Sequence, residues 1–171
     1  MTTRKRLYPW ASALPKNISV SLATLWGLGD LKAPGTWGSA AGLLFYALLF
    51  DGIGLGRYFV FAVLLAYLAT GICDAAERHL KMRDPGKIIL DEFVAMPFCF
   101  LPIMSGGYSA LGIILGFAVF RFLDIKKPVF INSLQNLDGG LGCVADDIAA
   151  AVLTCAILNL LSTIVPSVLA Y

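Results

Sequence analysis

Half of this 171-residue chain carries no charge, and that half is gathered into four unbroken runs. Ala33–Phe50, Tyr58–Cys73, Phe93–Phe120 and Ile148–Tyr171 contain no Asp, Glu, Lys or Arg. A helix that meets water on one side needs a polar face, and none of these runs offers one. The pattern therefore predicts an all-α, polytopic integral membrane helical bundle. Charged residues make up only 14 % of the chain, against about a quarter in a soluble domain. With 58 % hydrophobic residues, disorder is excluded. The net charge of +2 gives no argument for a nucleic-acid partner. Cys73, Cys99, Cys143 and Cys155 lack metal-ligand spacing and read as small buried hydrophobes.

The length suits a single membrane-embedded domain over 1–171, with a basic N-terminal tail over 1–17. Arg4, Lys5 and Arg6 are followed by Pro9, Pro15, Lys16 and Asn17 rather than by an apolar core, so no cleaved signal is expected. Read as one helix, Phe93–Phe120 would be about 42 Å long, against about 30 Å of hydrocarbon. Ser105-Gly106-Gly107-Tyr108 in its middle is a turn signal. About five short spans are expected: 36–50, 57–76, 88–104, 109–126 and 147–165, with Pro97 and Pro102 kinking the third. The stretch Ile18–Leu31 is a candidate re-entrant or interfacial helix. Basic residues cluster in alternate connections: Arg4 to Lys32, Arg78 to Lys87, and Arg121 to Lys127. That alternation places the N-terminus in the cytoplasm.

Nearly all of the acidic residues then fall on the cytoplasmic side; Asp51 alone lies outside. Some have ordinary explanations: Asp74 and Arg78 form an i,i+4 surface pair, and Asp138 before Gly139-Gly140 is turn chemistry. The pairs Asp91-Glu92 and Asp146-Asp147 open the third and fifth spans. The helix dipole explains one acid of each pair but not two. Several carboxylates at one depth, with Asp124 beside them, repel unless a cation sits between them. Hard oxygen donors in that number suit Mg²⁺, which completes its shell with phosphate oxygens. Arg121, Asp124 and Lys127 are spaced by three on one helix face, and Arg121 and Lys127 can grip a phosphate. Thr36 and Ser39, in Pro34-Gly35-Thr36-Trp37-Gly38-Ser39, are candidate caps of the first span and candidate phosphate contacts. Gly139-Gly140-Leu141-Gly142 lets the chain approach the site. His79 is the lone histidine and reads as part of a solvated helix end. No cysteine-phosphatase or Asp-x-Asp motif is present, which leaves metal-assisted attack by water, with a covalent aspartyl-phosphate still open.

Four ordered blocks carry a resemblance: Pro34-Gly35-Thr36-x-Gly38-Ser39; Asp84, Ile88-Ile89-x-Asp91-Glu92; Phe120-Arg121-x-x-Asp124-x-x-Lys127-Pro128; and Gly139-Gly140-x-Gly142-x-x-x-Asp146-Asp147. From about Trp26 to about Leu160 the chain resembles the phosphatidylglycerophosphatase A family. The resemblance implies a Mg²⁺-dependent lipid phosphatase of the bacterial inner membrane, its site facing the cytoplasm. Its phospholipid substrate would be phosphatidylglycerophosphate and its product phosphatidylglycerol. It assigns Asp91, Glu92, Asp124, Asp146 and Asp147 to the metal, with Asp91, Glu92, Asp124 and Asp147 catalytic, and Arg121 and Lys127 to the phosphate. Ala95 and Ala151 stand where glycine is expected, and Val129 where a second proline is often seen. Two rivals fit less well. A CDP-alcohol phosphotransferase needs Asp-Gly-x-x-Ala-Arg, whereas Asp138-Gly139 leads to Gly142-Cys143. A cation-coupled transporter needs carboxylates near the bilayer midplane. The oligomeric state is not legible.

Overall fold

The computed structural model describes residues 8–50, 52–101 and 107–165, apart from the side chains of Phe130 and Asn132. Among them every regular element is helical: α1 Pro9–Ser12, α2 Lys16–Ala23, α3 Pro34–Leu49, α4 Leu55–Leu80, α5 Leu90–Cys99, α6 Ala110–Lys126, α7 Val129–Leu134 and α8 Gly140–Ile164, with a 3-10 turn at Leu28–Asp30. Two helices are long and apolar enough to cross a membrane. These are α4, with 26 residues and mean hydropathy 2.0, and α8, with 25 residues and mean hydropathy 1.9. At 1.5 Å per residue they reach about 39 and about 37 Å.

These lengths revise the expected boundaries. The fourth helix runs on past position 76 to Leu80, and α8 starts at Gly140 rather than 147. Neither is a short span. The third expected span, 88–104, corresponds to a helix of only ten residues, α5. Pro97 lies within α5, while Pro102, Ser105 and Gly106 fall outside the described residues, as does Asp51. The part of the expected basic tail that is described, from Tyr8 on, is not free. Ala11 is fully buried, and the Trp10 indole N–H donates to the Tyr67 hydroxyl at 3.0 Å. Gly71 on α4 makes room for the Trp10 ring, which a Cβ there would strike.

Close packing of α3 on α5 decides the geometry. Gly35, Gly38 and Gly42 recur at three- and four-residue spacing, so they share one face of α3. A Cβ on Gly38 would come within 2.8 Å of the Ile89 carbonyl oxygen, and one on Gly42 within 2.9 Å of Phe93 Cα and Met96 Cγ. Pro97 has no N–H for the Phe93 carbonyl, and it is this freed carbonyl that Gly42 faces. Almost all of α5 is buried. It forms a central post, with Tyr46, Tyr58, Phe100, Phe120 and Leu158 in the core around it. The outward faces of α3, α4, α6 and α8 carry Leu48, Phe59, Ile114 and Leu160, each more than half exposed.

Gly42→Val is expected to lower detergent-solubilised stability by about 1–3 kcal/mol through overpacking against α5. Gly54→Ala, whose Cβ meets nothing within 4 Å, is expected to leave it unchanged. Thermal unfolding of both variants checks the contrast.

Candidate active site

Five helix ends meet at one end of the bundle. The N-termini of α3, α5 and α8 bring Gly35, Asp91-Glu92 and Asp146-Asp147 there, and the C-termini of α4 and α6 bring Asp74-Glu77 and Arg121-Asp124. One donor oxygen from each of Asp91, Glu92 and Asp147 lies within 4.8 Å of the others. Asp91 also belongs to a second group of the same tightness with Asp84 and Cys143. Asp91, Asp124, Asp146 and Asp147 are all buried. The first-turn position of Asp91 and Glu92 suits the α5 dipole. Asp146 and Asp147 stand two turns inside α8, because that helix begins at Gly140. The dipole falls off within the first turn, so it accounts for neither of them.

Two cations answer the acids. Arg121 Nη1 donates to Asp124 Oδ2 at 2.6 Å and to Ser39 Oγ at 3.3 Å, and lies 3.9 Å from Glu92 Oε1. Lys127 ends α6 in the left-handed region, φ 39°, and its Nζ donates to Asp146 Oδ2 at 2.6 Å. The expected shared face of Arg121, Asp124 and Lys127 therefore holds for the first two; Lys127 turns off the helix to α8. Burial pushes the Lys127 ammonium down. The Asp146 hydrogen bond and the charges of Asp146, Asp147 and Asp124 outweigh that and hold it above the usual lysine range. A raised lysine pKa contributes stability that is full below the unfolded value and lost only as pH rises through the folded one. The Lys127 charge therefore persists through neutral pH.

The helix α3 is not capped as expected. Ala33, at φ 56°, is its N-cap and Pro34 its first residue, with no side-chain cap. Thr36 is exposed at the site end, and Ser39 is buried with its hydroxyl donating to the Gly35 carbonyl at 2.8 Å. A Cβ on Gly35 would come within 2.9 Å of both Arg121 terminal nitrogens and would collide with Glu92 Oε1. The glycine thus forms a cradle at the helix N-terminus that the Arg121 guanidinium and the Glu92 carboxylate occupy.

Other expectations change as well. Asp74 and Arg78 pair at 3.1 Å, but Asp74 is buried against Gly139 rather than on the surface. The glycine run admits α8 to α4 at Thr70 and Asp74, and so brings the chain close to one of the acids at this end. His79 is exposed in the last turn of α4, as expected. Cys143 is buried but is no inert hydrophobe, since its thiol donates to Asp91 Oδ2 at 2.7 Å. Asp84 is a site neighbour that spacing alone did not single out. The Gln135 side-chain amide donates to its Oδ2 at 2.5 Å, and its own N–H donates to buried Glu77 at 2.8 Å. The sequence signal was its place in the Asp84 to Glu92 block.

The donor set fits a hard divalent cation. Its oxygens are carboxylates, no histidine is near, and negative groups outnumber Arg121 and Lys127. Glu92 Oε2 and Asp146 Oδ1 are buried without a hydrogen-bond partner, as is Arg121 Nε. A buried acceptor left unpaired costs free energy that a bound cation would recover.

The sequence model of the family described as phosphatidylglycerophosphatase A matches residues 21–162. The chain belongs to the phosphatidylglycerophosphatase A family. It is 35 % identical over 133 residues to the Haemophilus influenzae phosphatidylglycerophosphatase A, covering 77 % of this chain and 80 % of that one. The Escherichia coli phosphatidylglycerophosphatase A is 30 % identical over 126 residues, with 73 % and 72 % covered. A Bacteroides thetaiotaomicron protein, provisionally named a phosphatidylinositol-3-phosphatase, is 30 % identical over 149 residues, with 81 % and 89 % covered. No solved structure matches. All of the acids and both cations described above lie inside the stretch matched by the phosphatidylglycerophosphatase A family.

Asp147→Asn is expected to raise the unfolding temperature by several degrees in chelator, because an amide relieves repulsion among crowded carboxylates. Adding Mg²⁺ should stabilise the parent protein and do so less for the variant. Calorimetry in detergent with and without the ion reads both effects.

Proposed function

We propose that the protein is a Mg²⁺-dependent lipid phosphatase that removes the terminal phosphate of phosphatidylglycerophosphate, leaving phosphatidylglycerol. The observation that carries this reading is the donor trio Asp91, Glu92 and Asp147 beside Arg121, in a chain of this family. These three residues would hold Mg²⁺, with Asp124 beside them. The ion supplies Lewis-acid polarisation of the phosphoryl group. The planar fork of Arg121 binds phosphate oxygens, and its unpartnered Nε is a donor ready for one. Gly35 lets the Arg121 guanidinium approach the α3 N-terminus, where the helix dipole also favours an anion. Lys127 adds positive charge while keeping Asp146 in place.

We place the bundle across a bacterial inner membrane with the carboxylate end inward, at headgroup depth. Exposed Lys32, Lys81, Arg83 and Lys126 ring that end, as the positive-inside pattern requires. Trp26 and Trp37, 75 % and 48 % exposed, stand beside it, where an aromatic belt belongs. Five crossings with a cytoplasmic N-terminus fit the alternating directions of α3, α4, α5, α6 and α8. A phosphate met at headgroup depth spares the protein from carrying charge into hydrocarbon.

Phosphate release from phosphatidylglycerophosphate is expected to vanish in chelator and return with Mg²⁺. Phosphatidylinositol 3-phosphate belongs in the same assay as the competing substrate. Asp91→Asn and Asp124→Asn should each cost about 10²-fold or more in kcat, as loss of transition-state electrostatics does. Asp51→Asn should cost nothing. Arg121→Lys should impair turnover despite equal charge, because an ammonium cannot form the fork. Full activity in chelator, with metal shown to be absent, would refute the metal role.

Orientation is read separately. In a background without native cysteines, Gly86→Cys and Asp138→Cys should be shielded from an impermeant thiol reagent in intact cells. Gly54→Cys and Gly107→Cys should react. The reverse pattern would invert the topology.

A further inference from the structure

An apolar groove of about 440 Å³ runs between α3 and α6, lined by Ala40, Leu43, Leu44, Ala47, Ile114 and Phe117. Its near end lies beside Ser39 and Arg121. Ser39 precedes Ala40 and lies one turn from Leu43; Arg121 lies one turn from Phe117. The Arg121–Ser39 hydrogen bond at 3.3 Å ties the two helices together at that boundary. From there the lining runs away from the carboxylates along both helices, about 12 Å from Ser39 to Ala47. Leu44 and Ile114 are 62 % and 63 % exposed, so the groove opens sideways rather than into the core.

Two other apolar grooves lack this continuity. The one between α3 and α4, lined by Phe45, Leu49, Phe50, Phe61 and Leu64, sits toward the opposite end of α3 from Gly35. The roomier one between α4 and α8 has Tyr8 in its lining and includes Ala145, Ala149 and Val152. At 100° per residue these fall on a different face of α8 from Cys143 and Asp147.

We propose that the α3–α6 groove seats an acyl chain of the lipid substrate while its phosphate is held at Arg121 and Gly35. The proposal rests on the reading of that cradle as the phosphate site. The occupant follows from the juxtaposition: the groove starts within a turn of Ser39 and Arg121, so a molecule whose phosphate meets Arg121 can lay a hydrocarbon chain between α3 and α6. The groove then sets selectivity for acylated over water-soluble phosphate esters.

The test compares dioleoyl phosphatidylglycerophosphate with its fully deacylated headgroup. Ala47→Phe, which fills the far end of the groove, should raise the ratio of the two KM values about tenfold, the equivalent of about two methylenes losing their burial. Val152→Phe, in the α4–α8 groove, should leave the ratio unchanged. A dioleoyl analogue with a photoreactive group at the chain end should label α3 and α6 around Leu44, Ala47 and Ile114 in the unmodified protein. This second arm stands even if Ala47→Phe fails to fold. Labelling confined to α4 and α8, or an unchanged ratio in folded Ala47→Phe, would overturn the groove while leaving the phosphatase reading intact. Labelling at Ala47 without hydrolysis of any lipid would instead refute the phosphatase reading and keep the groove.

Discussion

Mutual repulsion among buried carboxylates is the constraint on which the rest of the structure depends. Asp91, Asp124, Asp146 and Asp147 are each at most 7 % exposed, and Glu92 and Asp84 stand beside them. Burying like charges together is unfavourable, and every neighbouring feature reduces that cost. Arg121 spreads over Asp124 and Glu92, and Lys127 neutralises Asp146. Two cations do not balance the set, and the residue of that imbalance is Glu92 Oε2, a buried acceptor with no partner. A site built for stability alone would have no such atom. That unpaired acceptor is what supports the proposal of a bound cation here.

Bringing those charges together demands close backbone approach, and small residues supply it. On α3, Gly35, Gly38 and Gly42 let α5 lie against the helix, so that Glu92 reaches Arg121 past Gly35. On α8, Gly139 holds φ 67° against Asp74, which only glycine adopts readily. The loop between α4 and α5 is then pinned from outside. Arg83 donates to the carbonyls of Gln135 and Leu137, while Asp84 takes the Gln135 amide. The glycine motifs and the acidic motifs are therefore one device, in which the first sets the separation of the second.

Charge-free runs made the helical class legible, and adjacent acids at Asp91-Glu92 and Asp146-Asp147 made the site legible, because both are local properties. What was not legible depends on partners distant in sequence. Asp74 reads as a surface residue from its i,i+4 neighbour, yet Gly139 buries it. Cys143 has no metal-ligand spacing, yet the packing of α8 on α5 sets its thiol on Asp91. The start of α8 at Gly140 is not legible because the charges of Asp146 and Asp147 mark the edge of the apolar run, not the edge of the helix. Asp146 and Asp147 are helical despite their charge, and that is why they face the site instead of fraying into a loop.

The short central helix shows how the bundle tolerates this design. Ten residues give α5 a length of about 15 Å, half of a hydrocarbon core, so both of its ends must find partners inside the protein. At the N-terminal end, Asp91 and Glu92 occupy the first turn. At the other end the Phe100 N–H donates to the Pro97 carbonyl at 3.2 Å, and the buried Tyr58 hydroxyl reaches the carbonyls of Pro97 and Phe100 at 2.5 and 3.2 Å. Tyr58 is 1 % exposed and stacks edge-on with Phe50, so it is held from the far side of the bundle. Tyr58 thus anchors the C-terminal end of the helix whose first turn carries Asp91. A post fixed at both ends keeps the carboxylates at one level, beside the cradle formed by Gly35 and Arg121.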